Sequence, residues 1–177
     1  GVIVVDTSAP AAATSLLITD DVGTKTGALT NGSVTDDSKP TISGKAEKGS
    51  TITLYDGETA MGTTTADAEG NWSFTPETAL GDGEHSITVE VTDGAGNTSA
   101  ASDTIVFTVD TVAQAASDMV ITDNAGNQKG PLSDGAMTDD NQPVISGKAE
   151  AGSTVTIFNG DTVLGTTTDR KSTRLNS

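Results

Sequence analysis

The chain has 177 residues, a net charge of −16 and no cysteine. That excludes a disulfide framework and disfavours nucleic acid or anionic membranes as partners. Leu, Ile, Val and Phe supply only 34 residues, a share that together with this charge is a mark of disorder, so order has to be found in pattern rather than in composition.

In chain order, Gly1 to Thr7 (GVIVVDT) aligns with Ile105 to Thr111 (IVFTVDT), so residues 1–6 are read as the last strand of an upstream repeat. Strands are then predicted near 14–20, 40–47, 50–56, 59–66, 71–75, 84–93 and 103–110. The residues from Asp20 to Asp37 are left as one long loop. The signal is period-two alternation, as in Ile87, Val89 and Val91 against Ser86, Thr88 and Glu90, or in Ile105, Phe107 and Val109. Such alternation, rich in Thr and Val, means half-buried strands. Asp56-Gly57, Glu69-Gly70-Asn71, Gly81-Asp82-Gly83 and Asp93-Gly94-Ala95-Gly96-Asn97 punctuate them with turn residues. No run of ten or more residues has a helical period. The fold class is all-β, with seven short strands forming a sandwich.

From Gly126 onward the chain repeats itself. Gly23 to Thr65 and Gly126 to Thr168 align without a gap at a spacing of 103 residues, with 24 of 43 positions identical. A period this long is a whole domain rather than a solenoid turn. The organisation is therefore residues 1–6 as a strand remnant, 7–110 as a complete repeat and 111–168 as a truncated repeat. Residues 169–177 (DRKSTRLNS) hold both arginines of the chain, resemble the translation of a sequencing adapter, and are read as an artefactual tail. Without the net +2 of that tail the charge is −18.

The core is thin, with Trp72 the only tryptophan, and Trp72 and Phe74 are assigned to it. So small a core calls for a staple, and without cysteine the candidate is a metal. Of 25 acidic residues 18 are Asp, most of them in predicted loops. Calcium takes six to eight oxygens, and short Asp side chains on loops supply them well. Up-and-down strands would gather the acids at two poles. The incoming pole collects Asp6, Glu47 and Asp93, with Asp110 and Glu150 as counterparts in the next repeat. The outgoing pole collects Asp20, Asp21, Asp36 and Asp37, answered by Asp123, Asp139 and Asp140, with Asn124 in the fourth place. Two readings stand for these residues: calcium ligands, or plain turn and capping acceptors. Neither cluster matches an EF-hand or a glycine-rich nonapeptide calcium loop.

The other candidates are weaker. His85, the only histidine, has no second His and is read as neither catalytic base nor metal ligand. Tyr55 and Phe158 occupy equivalent places and could present an aromatic platform or simply pack on a strand. No nucleophile elbow, phosphate loop or Cys/His zinc pattern is present, so no catalytic residue is assigned and an enzyme is not expected. There is no span of 18 apolar residues, and no membrane insertion is expected.

The elements DTSAP at Asp6, ITDDVG at Ile18, VTDDSKPTISGKAEKGSTITLYDG at Val34, ADAEGNWSFTP at Ala66 and VTDGAGNTSA at Val91 occur in an order that carries a resemblance. The chain resembles the bacterial immunoglobulin-like repeats of large type I-secreted, RTX-type and biofilm-associated adhesins. It departs from that pattern at Gln114, where the first repeat has Pro10, and again after Thr168. The resemblance implies tandem immunoglobulin-like sandwiches in an extracellular stalk on a bacterial surface, rigidified by Ca2+ near domain junctions. Asp6, Glu47, Asp93 and Asp110 become the junction candidates. The partners implied are neighbouring repeats of the same chain, with host or surface ligands met by a tip domain elsewhere. Two alternatives stand beside the stalk: a module that itself binds glycan or protein, and a non-catalytic appendage of a secreted hydrolase.

Overall fold

Alternation decides which side chains close the sandwich. In the computed structural model, which describes residues 1–168, 175 and 176, the first repeat forms nine strands. They are β1 (Thr14–Asp20), β2 (Gly27–Leu29), β3 (Ser33–Thr35), β4 (Thr41–Lys45), β5 (Thr51–Asp56), β6 (Thr59–Thr65), β7 (Asn71–Phe74), β8 (Gly83–Thr92) and β9 (Ile105–Val109). One sheet has the order β2-β1-β4-β7 and the other β3-β9-β8-β5-β6. Ile18 and Ile42 from the first sheet meet Ile52, Leu54, Ile87, Val89, Val91 and Phe107 from the second, all completely buried. Ile87, Val89, Val91 and Phe107 are positions that the period-two reading placed on inner faces.

All seven predicted strands are present, and no helix occurs among the described residues. The long loop between Asp20 and Asp37 is a correction: it contains β2 and β3. Here the chain leaves one sheet and joins the other. β2 pairs antiparallel with β1 through Ile18↔Leu29, whereas β3 pairs parallel with β9 through Val34↔Thr108. Gly32 N donates to Val106 O at 2.9 Å at the crossover. Three-residue strands are too short for alternation to register, and a parallel pair with a distant strand leaves no local mark.

Trp72 sits opposite Gly44 in the β4–β7 ladder. A Cβ on Gly44 would lie 2.7 Å from the indole Cζ2 and 3.0 Å from Thr14 O. The absence of a side chain there is what lets the one large ring lie flat across the sheet, buried with its Nε1 unpaired.

The chain divides into two units, Gly1–Val112 and Ala113–Ser177. Within the first, residues 1–13 form no strand and Val2, Ile3, Val4 and Val5 are exposed. The second unit contains β10 (Ser117–Asp123), β11 (Gly130–Leu132), β12 (Val144–Lys148), β13 (Thr154–Asn159), β14 (Thr162–Thr168) and β15 (Leu175–Asn176). It reproduces the first unit's register: Ile121↔Leu132 matches Ile18↔Leu29, and both units bulge at a positive φ, Ser15 at 54° and Asp118 at 51°. Among the described residues nothing corresponds to β3, β8 or β9. Residues 136–138, which match β3, form no strand, because the strand that β3 pairs with has no counterpart. The reading of residues 169–177 as a tail lies outside the described residues, apart from β15, which pairs antiparallel with β12.

The missing cover has a measurable consequence. Ile18 is completely buried while its counterpart Ile121 is 38% exposed. Hydrogen exchange on the 177-residue chain is expected to show much stronger protection in β4 and β5 than in β12 and β13. Equal protection in the two pairs would contradict this account of the core.

Candidate functional site: the aspartate-held poles

Sharp loops turn backbone N–H groups away from the ladders, and a short carboxylate can accept them. Two loops at the incoming pole share one sequence, Asp-x-x-Gly-Asn: Asp67 to Asn71 and Asp93 to Asn97. Asp67 Oδ1 accepts from Glu69 N at 3.0 Å and Asn71 N at 2.8 Å. Asp93 Oδ1 accepts from Ala95 N at 2.9 Å and Asn97 N at 2.8 Å, and its Oδ2 from Asn97 Nδ2 at 2.8 Å. Each Gly takes a positive φ, 81° at Gly70 and 93° at Gly96, which closes the loop onto its Asp. The amide of Asn97 also reaches the incoming chain, donating to Asp6 O at 3.2 Å.

The predicted incoming cluster is thus partly assembled. Asp6 and Asp93 are linked through Asn97, by the Asp6 carbonyl rather than its carboxylate. The Asp6 carboxylate instead accepts from Ser8 N at 3.0 Å. Glu47 is exposed, and its carbonyl accepts from Ser50 N at 3.1 Å and Ser50 Oγ at 2.5 Å. Glu150 repeats that arrangement with Ser153 in the second unit. Asp110 belongs to the first unit; its N–H donates to Thr35 O at 2.8 Å and its Oδ1 accepts from Val112 N at 3.1 Å.

At the outgoing pole Asp20 and Asp37 are almost completely buried. Asp20 Oδ2 accepts from Thr35 Oγ1 at 2.6 Å, and Oδ1 from Val22 N at 2.9 Å. Thr35 Oγ1 in turn accepts from Asp37 N at 2.9 Å, and Asp37 Oδ1 accepts from Lys39 N at 2.8 Å. Asp36 is exposed and lies against Gly23, where a Cβ would collide with its Oδ2. Asp21 is exposed, and its N–H points to Asp37 Oδ2 at 3.4 Å. The second unit copies this network. Thr138 Oγ1 donates to Asp123 Oδ2 at 2.7 Å, Asp140 N donates to Thr138 Oγ1 at 2.9 Å, and Asn124 N donates to Asp140 Oδ2 at 2.8 Å. Asp139 lies against Gly126 as Asp36 lies against Gly23.

Among the described residues no three Asp, Glu or His side chains gather so as to hold a metal ion. As arranged, the buried carboxylates fit N–H and O–H donors rather than a calcium sphere. Among the candidate residues the exposed Asp21, Asp36, Asp139, Glu47 and Glu150 have carboxylates without such partners, and no three of them gather.

Sequence reasoning passed over Thr35 and Asn97, and placed the Asp82 loop at the outgoing pole without its contact. Thr35 bridges Asp20 to Asp37, and a Thr two residues before the second Asp was a legible sign of it. Asn97 ties the incoming chain, and its place in a loop motif that recurs in the sequence was equally legible. Asp82 Oδ1 accepts from Thr111 N at 3.1 Å and Thr111 Oγ1 at 2.8 Å, so it grips the outgoing chain. No local pattern marks that contact, because its partners are far apart in sequence. The two aromatic candidates differ: Tyr55 is half-buried with its hydroxyl 3.4 Å from Glu90 Oε2, whereas Phe158 is exposed.

Residues 12–111 match the profile of the bacterial Ig-like domain. The chain belongs to that family. No curated protein matches the chain. The all-β sandwich of the first unit is therefore an Ig-like one. Bacterial Ig-like domains are generally non-catalytic and commonly occur in extracellular or surface proteins as structural or adhesion modules.

Two predictions follow from these loops. Asp37→Ala strips the acceptor from Lys39 N in a buried setting and is expected to cost about 1–3 kcal/mol by urea titration. Exposed Asp21→Ala should change stability by no more than about 0.5 kcal/mol. The second concerns acid. Hydrogen bonds from Asn97, side chain first and then N–H, hold the Asp93 carboxyl below the usual 3.8, and the N–H of Asn71 does the same for Asp67. A depressed folded pKa gives stability that is present above 3.8 and lost as pH falls through the folded value. Amide protection at Asn71 and Asn97 should therefore hold from neutral pH down to 3.8 and fall below it, while Asp93→Asn should flatten the profile at Asn97.

Proposed function

We propose that this chain is spacer from the stalk of a bacterial surface or secreted adhesin. One observation carries the reading: in the first unit the incoming and outgoing chain are each tied to a loop by a side chain. Asn97 holds Asp6 where the chain arrives, and Asp82 holds Thr111 where it leaves. Tension applied at Asp6 and Thr111 would be delivered to these tethers and then to the ladders. A domain whose exits are anchored in this way transmits orientation to its neighbours. A recurring 103-residue unit suits that task, since length scales with copy number.

Calcium enters this reading as a separate proposal, supported by the Asp bias and by the exposed Asp21, Asp36 and Asp139 rather than by a gathered ligand set. Binding to the native state alone contributes RT ln(1 + [L]/Kd), about 2.7 kcal/mol per site at a hundredfold excess over Kd. For a domain near 100 residues this corresponds to a rise of roughly ten degrees or more in Tm. Trp72, the only tryptophan, lies in the first unit and reports its unfolding alone. The expected outcome is a higher Trp72-monitored Tm in millimolar calcium than in chelator, with magnesium a poor substitute. Equal midpoints would remove calcium and leave the tethered spacer. Binding of the folded chain on a glycan array would overturn the spacer reading in favour of direct adhesion.

A further inference from the structure

Between Lys48 and Lys129 there is no Lys or Arg, so His85 is the only side chain able to carry positive charge in that stretch. It lies near the start of β8, directly opposite Phe107 on β9, with ring centroids 5.9 Å apart and the planes tilted by 36°. Its side chain is 12% exposed. Nδ1 is 2.6 Å from Asp56 Oδ2 at the end of β5, and Nε2 is 2.7 Å from Gly81 O in the loop before β8. The other oxygen of Asp56 accepts from Ser86 N at 2.9 Å, which fixes the carboxylate in place.

A carboxylate and a carbonyl are both acceptors, and a neutral imidazole has one N–H. With Asp56 ionised, both bonds are made at once only when both ring nitrogens carry protons. We propose that His85 is a pH-sensitive latch: its imidazolium cross-links β5 to the loop at Gly81 and thereby holds Asp82, which grips the outgoing chain at Thr111. The proposal does not depend on calcium.

The charged groups on the elements around the ring all favour the cation. β5 and the turn after it carry Asp56 and Glu58, the loop before β8 carries Glu77 and Asp82, and β8 itself carries Glu84 and Glu90. β9 has no ionisable residue from Ile105 to Val109 and is followed by Asp110. Burial pulls the ring's pKa down, but the hydrogen bonds to Asp56 and Gly81 and the charge of Asp56 outweigh it, and the net shift is upward from 6.5. A raised folded pKa gives stability that is fully present below 6.5 and is lost as pH rises through the folded value. On deprotonation one ring nitrogen turns a lone pair toward an acceptor at under 3 Å, so one side of the bridge is lost while Asp56 keeps its bond from Ser86 N. In the second unit Asn159 replaces Asp56, so the latch belongs to the first repeat.

Because the full chain has one histidine, NMR of the 177-residue protein reads a single imidazole. The ring is expected to titrate above 6.5, and the amide resonances of Asp82 and Thr111 should shift with the same midpoint. Asp56→Asn should lower the ring's midpoint, and His85→Gln should abolish the titration at Thr111. A ring midpoint at or below 6.5, or Thr111 resonances that do not follow the ring, would overturn the latch. The wild-type titration decides this even if His85→Gln does not fold.

Discussion

A backbone N–H that leaves a β-ladder has to find another acceptor, and in this chain, where that acceptor is a side chain, it is most often an aspartate. Asp6, Asp20, Asp37, Asp67, Asp93 and Asp110 each take an N–H two residues ahead. Aspartate has the right length to turn back on its own backbone, and glutamate is one methylene too long to do it as well. That constraint explains a composition that otherwise looks like disorder. The excess of Asp over Glu, and much of the −16 charge, is how a domain of short strands terminates several of them.

The same chemistry holds the incoming and outgoing chain of the first unit. The carboxylates at the poles are not an independent layer laid over the fold. Asp20, Thr35 and Asp37 are buried where the chain crosses between sheets, and Asp110 N is bonded to Thr35 O, so the crossover and the exit of the chain share one network. At the other pole Asn97 closes its loop and binds Asp6 O with the same amide group. Loop closure and chain tethering are therefore coupled, and weakening either loop loosens the adjoining linker. The proposed His85 cross-link would respond to pH near neutrality, whereas the carboxylate bonds of Asp67 and Asp93 respond only in acid.

The core is shallow, and its one large ring is accommodated by a missing side chain. Trp72 over Gly44 fills the space between sheets that aliphatic residues alone would leave open. In the second unit, Gly147 keeps the small residue at the corresponding place. The strands of that unit pair in the same register, yet their inner faces stay open. Local sequence is enough for strand pairing, but burial needs the second sheet.

Alternation of Ile87, Val89 and Val91, turn residues at short intervals and a repeat of 103 residues were enough to read seven strands, their inner faces and the grouping of loops at two poles. These are local or periodic properties, and a strand's pattern determines which face it buries whatever its partners are. Tertiary structure alone decided the rest. β2 and β3 exist because β1 and β9 offer edges to them, and three residues cannot announce that. Whether an aspartate serves a cation or a backbone N–H depends on which groups converge in space. His85 reads as an isolated residue in sequence, and becomes a cross-link only because β5 and the Gly81 loop bring two acceptors to opposite sides of its ring.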